Sequence, residues 1–243
     1  MLMKAASLRL AAIFLASINL AACATTGTAT AENDPFEVTN RVLFDVTLAL
    51  DRTVTRPIAI GYRGVLPQGV RAVIRNFLDN LSSPVVFTND VLQGEPERAG
   101  TTLARAIVNT SVGIGGLFEV AEGWGLPKHR EDFGQTLAVW GVGEGAYLIV
   151  PLLGPSNTRD LFGFGVDFII DPLFHVRWGN KRYIPWTRFG VNLIDLRSRN
   201  IETVDDVERT SADFYAATRG LYRQNRINEI NNGVIDVEEL PDF

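Results

Sequence analysis

Few side chains in this sequence are of types that could make or break bonds. Its two histidines, His129 and His175, could act as acid–base groups or metal ligands. Neither has a second His, Cys or carboxylate at metal-ligand spacing. His129 lies in the charged run Lys128-His129-Arg130-Glu131-Asp132 and reads as part of a solvated loop. His175, among Phe174, Val176 and Trp178, reads as a satisfied interface histidine. Gly141-Val142-Gly143-Glu144-Gly145-Ala146 has the glycine spacing of a dinucleotide-binding turn, which requires a strand before it and a helix after it. Here a helical pattern comes first and the strand-like Tyr147–Val150 follows, so the context is reversed. Ser156, in Gly154-Pro155-Ser156-Asn157, lacks the second glycine of a nucleophile elbow and reads as a turn residue. Asp205, Asp206, Glu208, Glu238 and Glu239 read as solvated or capping charges. No catalytic set results: the chain is expected not to be an enzyme and to need no cofactor or metal.

The remaining reactive group is the thiol of Cys23, the only cysteine. Lys4 and Arg9 precede the apolar stretch Leu10–Leu15, Ala16, Ile18 and Leu20, and the small residues Ala21 and Ala22 follow. This is the build of an export signal. Leu20-Ala21-Ala22-Cys23 resembles the bacterial lipobox, which implies cleavage after residue 22 and a covalent lipid on Cys23. An exported chain with one cysteine cannot form an internal disulfide, and lipidation accounts for the thiol. Each buried CH2 contributes about 0.8 kcal/mol, so two or more acyl chains anchor stably. Ala24, where Asp would favour inner-membrane retention, points to the outer membrane.

Removing residues 1–22 takes away two of the 23 basic residues and none of the 28 acidic ones, leaving a net charge of −7. That balance argues against a nucleic-acid partner and against a polybasic membrane-surface binder. Residues 23–33 are small and polar and read as a tether carrying the lipidated Cys23. Residues 34–233 are expected to form one helical domain, and the acidic tail 234–243 is expected to be disordered.

Within the domain, helices dominate. Asp34-Pro35 reads as an N-cap and first helical residue. In the helix that follows, Glu37, Arg41 and Asp45, extended by Arg52, make a narrow polar stripe among Phe36, Val38, Val42, Leu43, Phe44, Val46, Leu48 and Leu50. So narrow a polar face belongs to a helix that is deeply buried or touches lipid. Pro57 is expected to end it. A second helix is expected from Pro67 to Leu81, broken by Ser82-Ser83-Pro84. A third runs from Pro84 to Gln93, with Gly94 at its end, and a fourth from Thr101 to Val112. The centre is apolar and glycine-rich but has no run of about 18 apolar residues that could span a bilayer. Helices are expected again after Pro185 and around Phe214–Ile227, stopped by Asn231-Asn232-Gly233. Tyr147–Val150 is the one strand candidate.

Longer strings carry a family resemblance. Asp34-Pro35-Phe36-Glu37 with Asn40-Arg41 is one. Asn80-Leu81, Ser83-Pro84-Val85-Val86-Phe87, Asn89-Asp90 and Leu92-Gln93-Gly94 form a second block, and Gly113-Ile114-Gly115-Gly116-Leu117-Phe118 a third. Glu131-Asp132-Phe133-Gly134-Gln135-Thr136-Leu137, Trp140-Gly141-Val142-Gly143, Tyr147-Leu148, Pro151–Ser156 and Arg159-Asp160 complete the set. With the lipobox, these resemble the MlaA (VacJ) outer-membrane lipoproteins, strongly from Asp34 to Pro172 and more loosely to Gly233.

The resemblance implies a mainly α, ring-like (doughnut) domain with little or no sheet, partly embedded in the inner leaflet of the outer membrane beside trimeric porins. It implies removal of mislocalised phospholipid from the outer leaflet through an amphipathic channel to a soluble periplasmic carrier, maintaining lipid asymmetry. Phospholipid is then the transported ligand. The alternative is a lipid-anchored adaptor that binds porins without moving lipid. Many members have Gly-Pro where this chain has Gly145-Ala146, a change expected to relax one turn. Residues 154–160, with Arg159 and Asp160, are either a functional loop or a turn and helix cap fixed by that pair. Gly113, Gly115, Gly116, Gly141 and Gly143 are expected to permit close packing and bending.

Overall fold

Proline does not end helices in this chain where it falls inside an apolar run. The computed structural model describes residues 33–175 and 183–233. The signal 1–22, Cys23, the tether apart from Asn33, and the tail 234–243 lie outside those residues. Helix α1 (Glu37–Leu50) starts behind Phe36, so Pro35 lies ahead of its first turn and not within it. It continues through a π-helical turn (Asp51–Thr55) into α2 (Arg56–Val65), so Pro57 does not end the segment. The Arg56 N–H donates to the Asp51 carbonyl, five residues back. A proline ring in a regular helix clashes with the carbonyl four residues before it, and a widened turn just ahead of Pro57 relieves that contact.

Helix α3 (Gln68–Gln93) likewise runs unbroken through Pro84, where two helices were expected. The ring's φ is helical, but the lost hydrogen bond and clash cost about 3 kcal/mol. Tertiary burial offsets this cost. Asn89 and Asp90, in the turns after Pro84, are fully buried and bonded, and α3 packs along α4 (Pro96–Ser111). Gly94, at φ 78°, makes the left-handed C-terminal turn between them.

A short 3-10 turn (Glu122–Trp124) and α5 (Phe133–Val139) precede an antiparallel hairpin of β1 (Tyr147–Val150) and β2 (Gly154–Asn157), with Tyr147 opposite Asn157 and Val150 opposite Gly154. Ser156 is therefore a strand residue and not a turn residue. After β2 come α6 (Thr158–Ile170), α7 (Pro172–His175), α8 (Ile184–Arg199), α9 (Ile201–Thr210) and α10 (Phe214–Ile230). Of the carboxylates read as solvated or capping, Asp205, Asp206 and Glu208 lie on α9 and are paired, and Glu238 and Glu239 lie outside the described residues. Glu208 meets Arg52, Asp205 meets Arg56 at 2.7 Å, Glu202 meets Arg63 at 2.6 Å, and Asp206 meets Arg209 at 2.7 Å. Three of these pairs run across to the π-turn and α2, tying α9 beside them.

From Phe36 onward the described residues form one unit whose contacts close on themselves. Helix α1 packs on β1, β2 on α10, α10 on α5, α5 on α3, α3 on α8, and α8 on α2, which continues α1. That circuit is a ring of helices with one hairpin. A small apolar core of Phe44, Tyr147, Ile149 and Tyr215 joins α1, the hairpin and α10. Asn40 closes this joint like an extra ladder rung, donating to the Tyr147 carbonyl and accepting from the Ile149 N–H, both at 3.0 Å. Among the described residues, no helix is long and apolar enough to cross a membrane.

Candidate functional site

The polarity of the ring is inverted relative to a water-soluble domain. Its largest fully buried side chains are polar: Gln135, Asn40, Asn89, Asn157, Thr136, Asp90 and Ser198. Large apolar side chains face outward instead, among them Val38 (82% exposed), Ile107, Ile114, Trp124 (63% exposed), Trp140 and Phe162. Scattered exposed apolar residues are ordinary in soluble proteins, but buried polar side chains are informative, and here both occur together.

A cavity of about 530 Å³ lies inside, within the size range of small-molecule sites. Helix α8 presents a regular stripe to it, Pro185, Arg188, Phe189, Asn192, Leu196 and Arg199, and α6 with its end presents another, Phe164, Asp167, Phe168 and Asp171. Three- and four-residue steps place each of these sets on one helical face. Helix α3 adds a broader surface between Asp79 and Val86. A second, more apolar pocket of about 290 Å³, formed by Leu50, Leu152, Leu193 and others, shares Leu196 with the first.

One wall of the main cavity is a buried hydrogen-bond network. Asp90 accepts from Thr102 at 2.6 Å, and its two oxygens lie 3.0 and 3.1 Å from His129 Nε2. His129 is therefore turned inward and not solvated: the loop is charged, but this one side chain finds Asp90 and Thr102 behind it. Glu131 accepts from Gln93 at 2.9 Å and from Arg98, and burial nevertheless pushes its carboxyl upward. Thr136 donates to Asn89 at 2.8 Å, and Asn89 donates to Asp167 at 2.9 Å. Burial pushes Asp167 up to about 6 although the Phe133 N–H also donates to it. Burial also opposes the charge on Asp132, but Arg226, bonding it twice at 2.7 Å, holds that carboxyl below its ordinary value.

The structure places Arg159 and Asp160 at the start of α6, with Arg159 Nε donating to Asp160 at 3.0 Å. The cap itself is Asn157, which accepts from the Asp160 N–H at 2.7 Å. Asp160 also accepts from Tyr222 and lies 2.8 Å from Arg226, so the pair faces α10. Neither residue lines the cavity. The five singled-out glycines divide. Gly113 lies against the Asn109 and Phe118 carbonyls and Gly116 against Asn80, whereas Gly115, Gly141 and Gly143 have open surroundings. A backbone approach as close as that at Gly113 occurs where Gly163 of α6 lies against Gly134 of α5. At Gly145-Ala146 the turn is held through the Ala146 carbonyl, which accepts from the Thr158 N–H and hydroxyl. A proline would offer the same carbonyl. His175 is satisfied by the Ile169 carbonyl at 2.6 Å, but is exposed.

Sequence reasoning missed Arg188, Asn192 and Asp171 as cavity residues. The spacing 185, 188, 189, 192, 196, 199 was the available signal, obscured because this stripe mixes charged, amide and apolar types. Among the described residues no cluster of His, Cys, Asp or Glu could hold a metal ion.

The family described as MlaA lipoprotein matches residues 32–229. The intermembrane phospholipid transport system lipoprotein MlaA of Escherichia coli is 34% identical over 242 residues, covering 96% of this chain and 93% of that protein. Its Haemophilus influenzae counterpart is 30% identical over 94% and 93%. An uncharacterized protein of Rickettsia felis is 33% identical over 79% and 76%. A structure solved in work on the structural basis for maintenance of bacterial outer membrane lipid asymmetry superposes with a TM-score of 0.73 and 31% identity, covering 82% of this chain and 99% of that one. The chain belongs to the MlaA lipoprotein family.

Proposed function

We propose that this protein removes mislocalised phospholipid from the outer leaflet of the outer membrane and passes it to a soluble periplasmic carrier, maintaining lipid asymmetry. The carrying observation is the arrangement of polarity: an apolar exterior surrounds an amphipathic cavity, one wall of which is a network of buried, hydrogen-bonded polar groups. A lipid headgroup dragged through hydrocarbon loses its hydration at a cost of many kcal/mol, and the polar wall replaces those partners. The apolar exterior suits immersion in one leaflet, since no described helix is built to cross both. The names of the relatives in Escherichia coli and Haemophilus influenzae support phospholipid transport.

In this reading the lipid on Cys23 and the apolar face are two attachments to the outer membrane, and trimeric porins are the expected neighbours. Transport by this route needs no bond-breaking step. Deleting the protein should raise outer-leaflet phospholipid and sensitivity to SDS with EDTA. Unchanged surface phospholipid with an intact barrier would contradict the proposal. The same experiment tests the adaptor alternative, which predicts porin association without a change in surface lipid.

A further inference from the structure

The cavity wall changes character where α6, α7 and α8 meet. Five aromatic rings form a shelf there. Phe168 lies 4.8 Å from Phe174, 5.5 Å from Trp186 and 6.5 Å from Phe164, and Phe164 lies 6.3 Å from Phe189. The outer members, Phe174 and Trp186, are exposed. Phe164, Phe168 and Phe189 line the cavity together with Arg188, Ser82 and Asp171. Arg188 donates from Nη2 to Ser82 at 2.6 Å and from Nη1 to Asp171. The other Asp171 oxygen accepts from the Leu173 N–H at 2.9 Å, which fixes the carboxylate. An apolar shelf thus ends on an oriented ion pair.

Each arginine and lysine lining the cavity has a carboxylate partner: Arg105 has Glu119, Lys128 and Arg130 have Asp79, Arg199 has Asp195, and Arg188 has Asp171, the pair that borders the aromatic shelf. Arg188 and Asp171 are 13% and 16% exposed, so neither charge is well solvated by water. An anionic headgroup that took Arg188 would strand Asp171, and an unpaired buried charge is costly. A headgroup carrying both a phosphate and an ammonium can exchange partners with the pair, phosphate to Arg188 and ammonium to Asp171. Neither protein charge is then left alone. Discrimination here comes from the carboxylate that repels the wrong ligand as much as from the arginine that binds the right one.

We propose that the Arg188–Asp171 pair is a headgroup subsite that selects zwitterionic phospholipid, with an acyl chain lying on the five-ring shelf. This rests on the transport reading above and adds a cargo preference to it. The test uses the full chain in detergent, incubated with vesicles of equal phosphatidylethanolamine and phosphatidylglycerol, re-isolated, and its bound lipid weighed by mass spectrometry. The unmodified chain should hold phosphatidylethanolamine over phosphatidylglycerol by roughly fivefold or more, since an anionic headgroup leaves the little-exposed Asp171 without its partner. Asp171→Asn keeps an acceptor for the Leu173 N–H and removes only the charge. Its ratio should fall to about one or below. An unmodified chain whose bound lipid mirrors the vesicles overturns the subsite without needing any variant, as does an unchanged ratio in Asp171→Asn. A chain that takes up neither lipid overturns the transport reading as well.

Discussion

Replacing Arg226 by Gln should loosen the joint between α5, α6 and α10 more than any other single charge deletion there. Arg226 bonds Asp132 through both terminal nitrogens at 2.7 Å and approaches Asp160 at 2.8 Å and Glu229 at 3.0 Å. Asp160 is only 9% exposed, whereas Asp132 keeps 39% of its side chain open. Removing Arg226 therefore takes two bonds from Asp132 and one cationic neighbour from the more deeply buried Asp160. Breaking a buried pair by removing one partner costs roughly 3–5 kcal/mol. Asp160 retains Arg159 and Tyr222, which places the expected loss near the lower end, about 3 kcal/mol. For a domain of this size that lowers Tm by roughly 6–12 °C. The assay is a helical circular-dichroism melt in detergent, run as a cycle with Asp160→Asn. If the two groups act on each other, the double variant should lose less than the sum of the singles, with a coupling of about 1–3 kcal/mol. Additive losses, or a Tm drop under about 2 °C for Arg226→Gln, would refute this account of the joint.

Other expectations follow from the same geometry. Gly163→Ala puts a methyl onto the Gly134 backbone and should cost about 1–3 kcal/mol by chemical denaturation, whereas Gly143→Ala, in open space, should change stability by less than about 0.5 kcal/mol. Asp167 titrates near 6 in the folded chain against 3.8 without its surroundings, so the folded state holds the extra proton between those values. Its contribution to stability accordingly grows as pH falls from 7 to 5, by about 1 kcal/mol, and is lost as pH rises through 6. Melts of the unmodified chain and Asp167→Asn at both pH values should show this increment only in the former. In a Cys23→Ala background, where the proposed acyl attachment cannot form, the fold should still partition into liposomes. Leu103→Glu with Ile107→Glu, on the exposed face of α4, should sharply reduce flotation with the helical spectrum unchanged.

Much of the helical content was legible because apolar residues recur at helical spacing and because Gly94 and Asn231-Asn232-Gly233 mark ends. What misled was proline. Local rules make Pro57 and Pro84 breakers, yet a widened turn before one and burial around Asn89 and Asp90 after the other carry the helix through. Helix α9 was missed for a different reason: its carboxylates look like solvent-facing charge until Arg52, Arg56 and Arg63, far away in sequence, are set opposite them. His129 shows the same limit, since its run of charged neighbours says nothing of Asp90 and Thr102. The resemblance identified the family and an apolar body, but the cavity stripe on α8 depends on which face of the helix turns inward. Tertiary contacts decide that.

In the transport proposed above, phospholipid passes through the amphipathic cavity within the ring. Asn192 lines that cavity from α8 and is itself exposed, so a larger side chain can stand there without displacing core residues. Outer-leaflet phospholipid should be measured in cells lacking the protein and supplied with either the unmodified chain or Asn192→Trp at matched levels. The unmodified chain should restore low surface phospholipid, and Asn192→Trp, folded and membrane-bound, should leave it high. Full restoration by Asn192→Trp would contradict passage through the cavity.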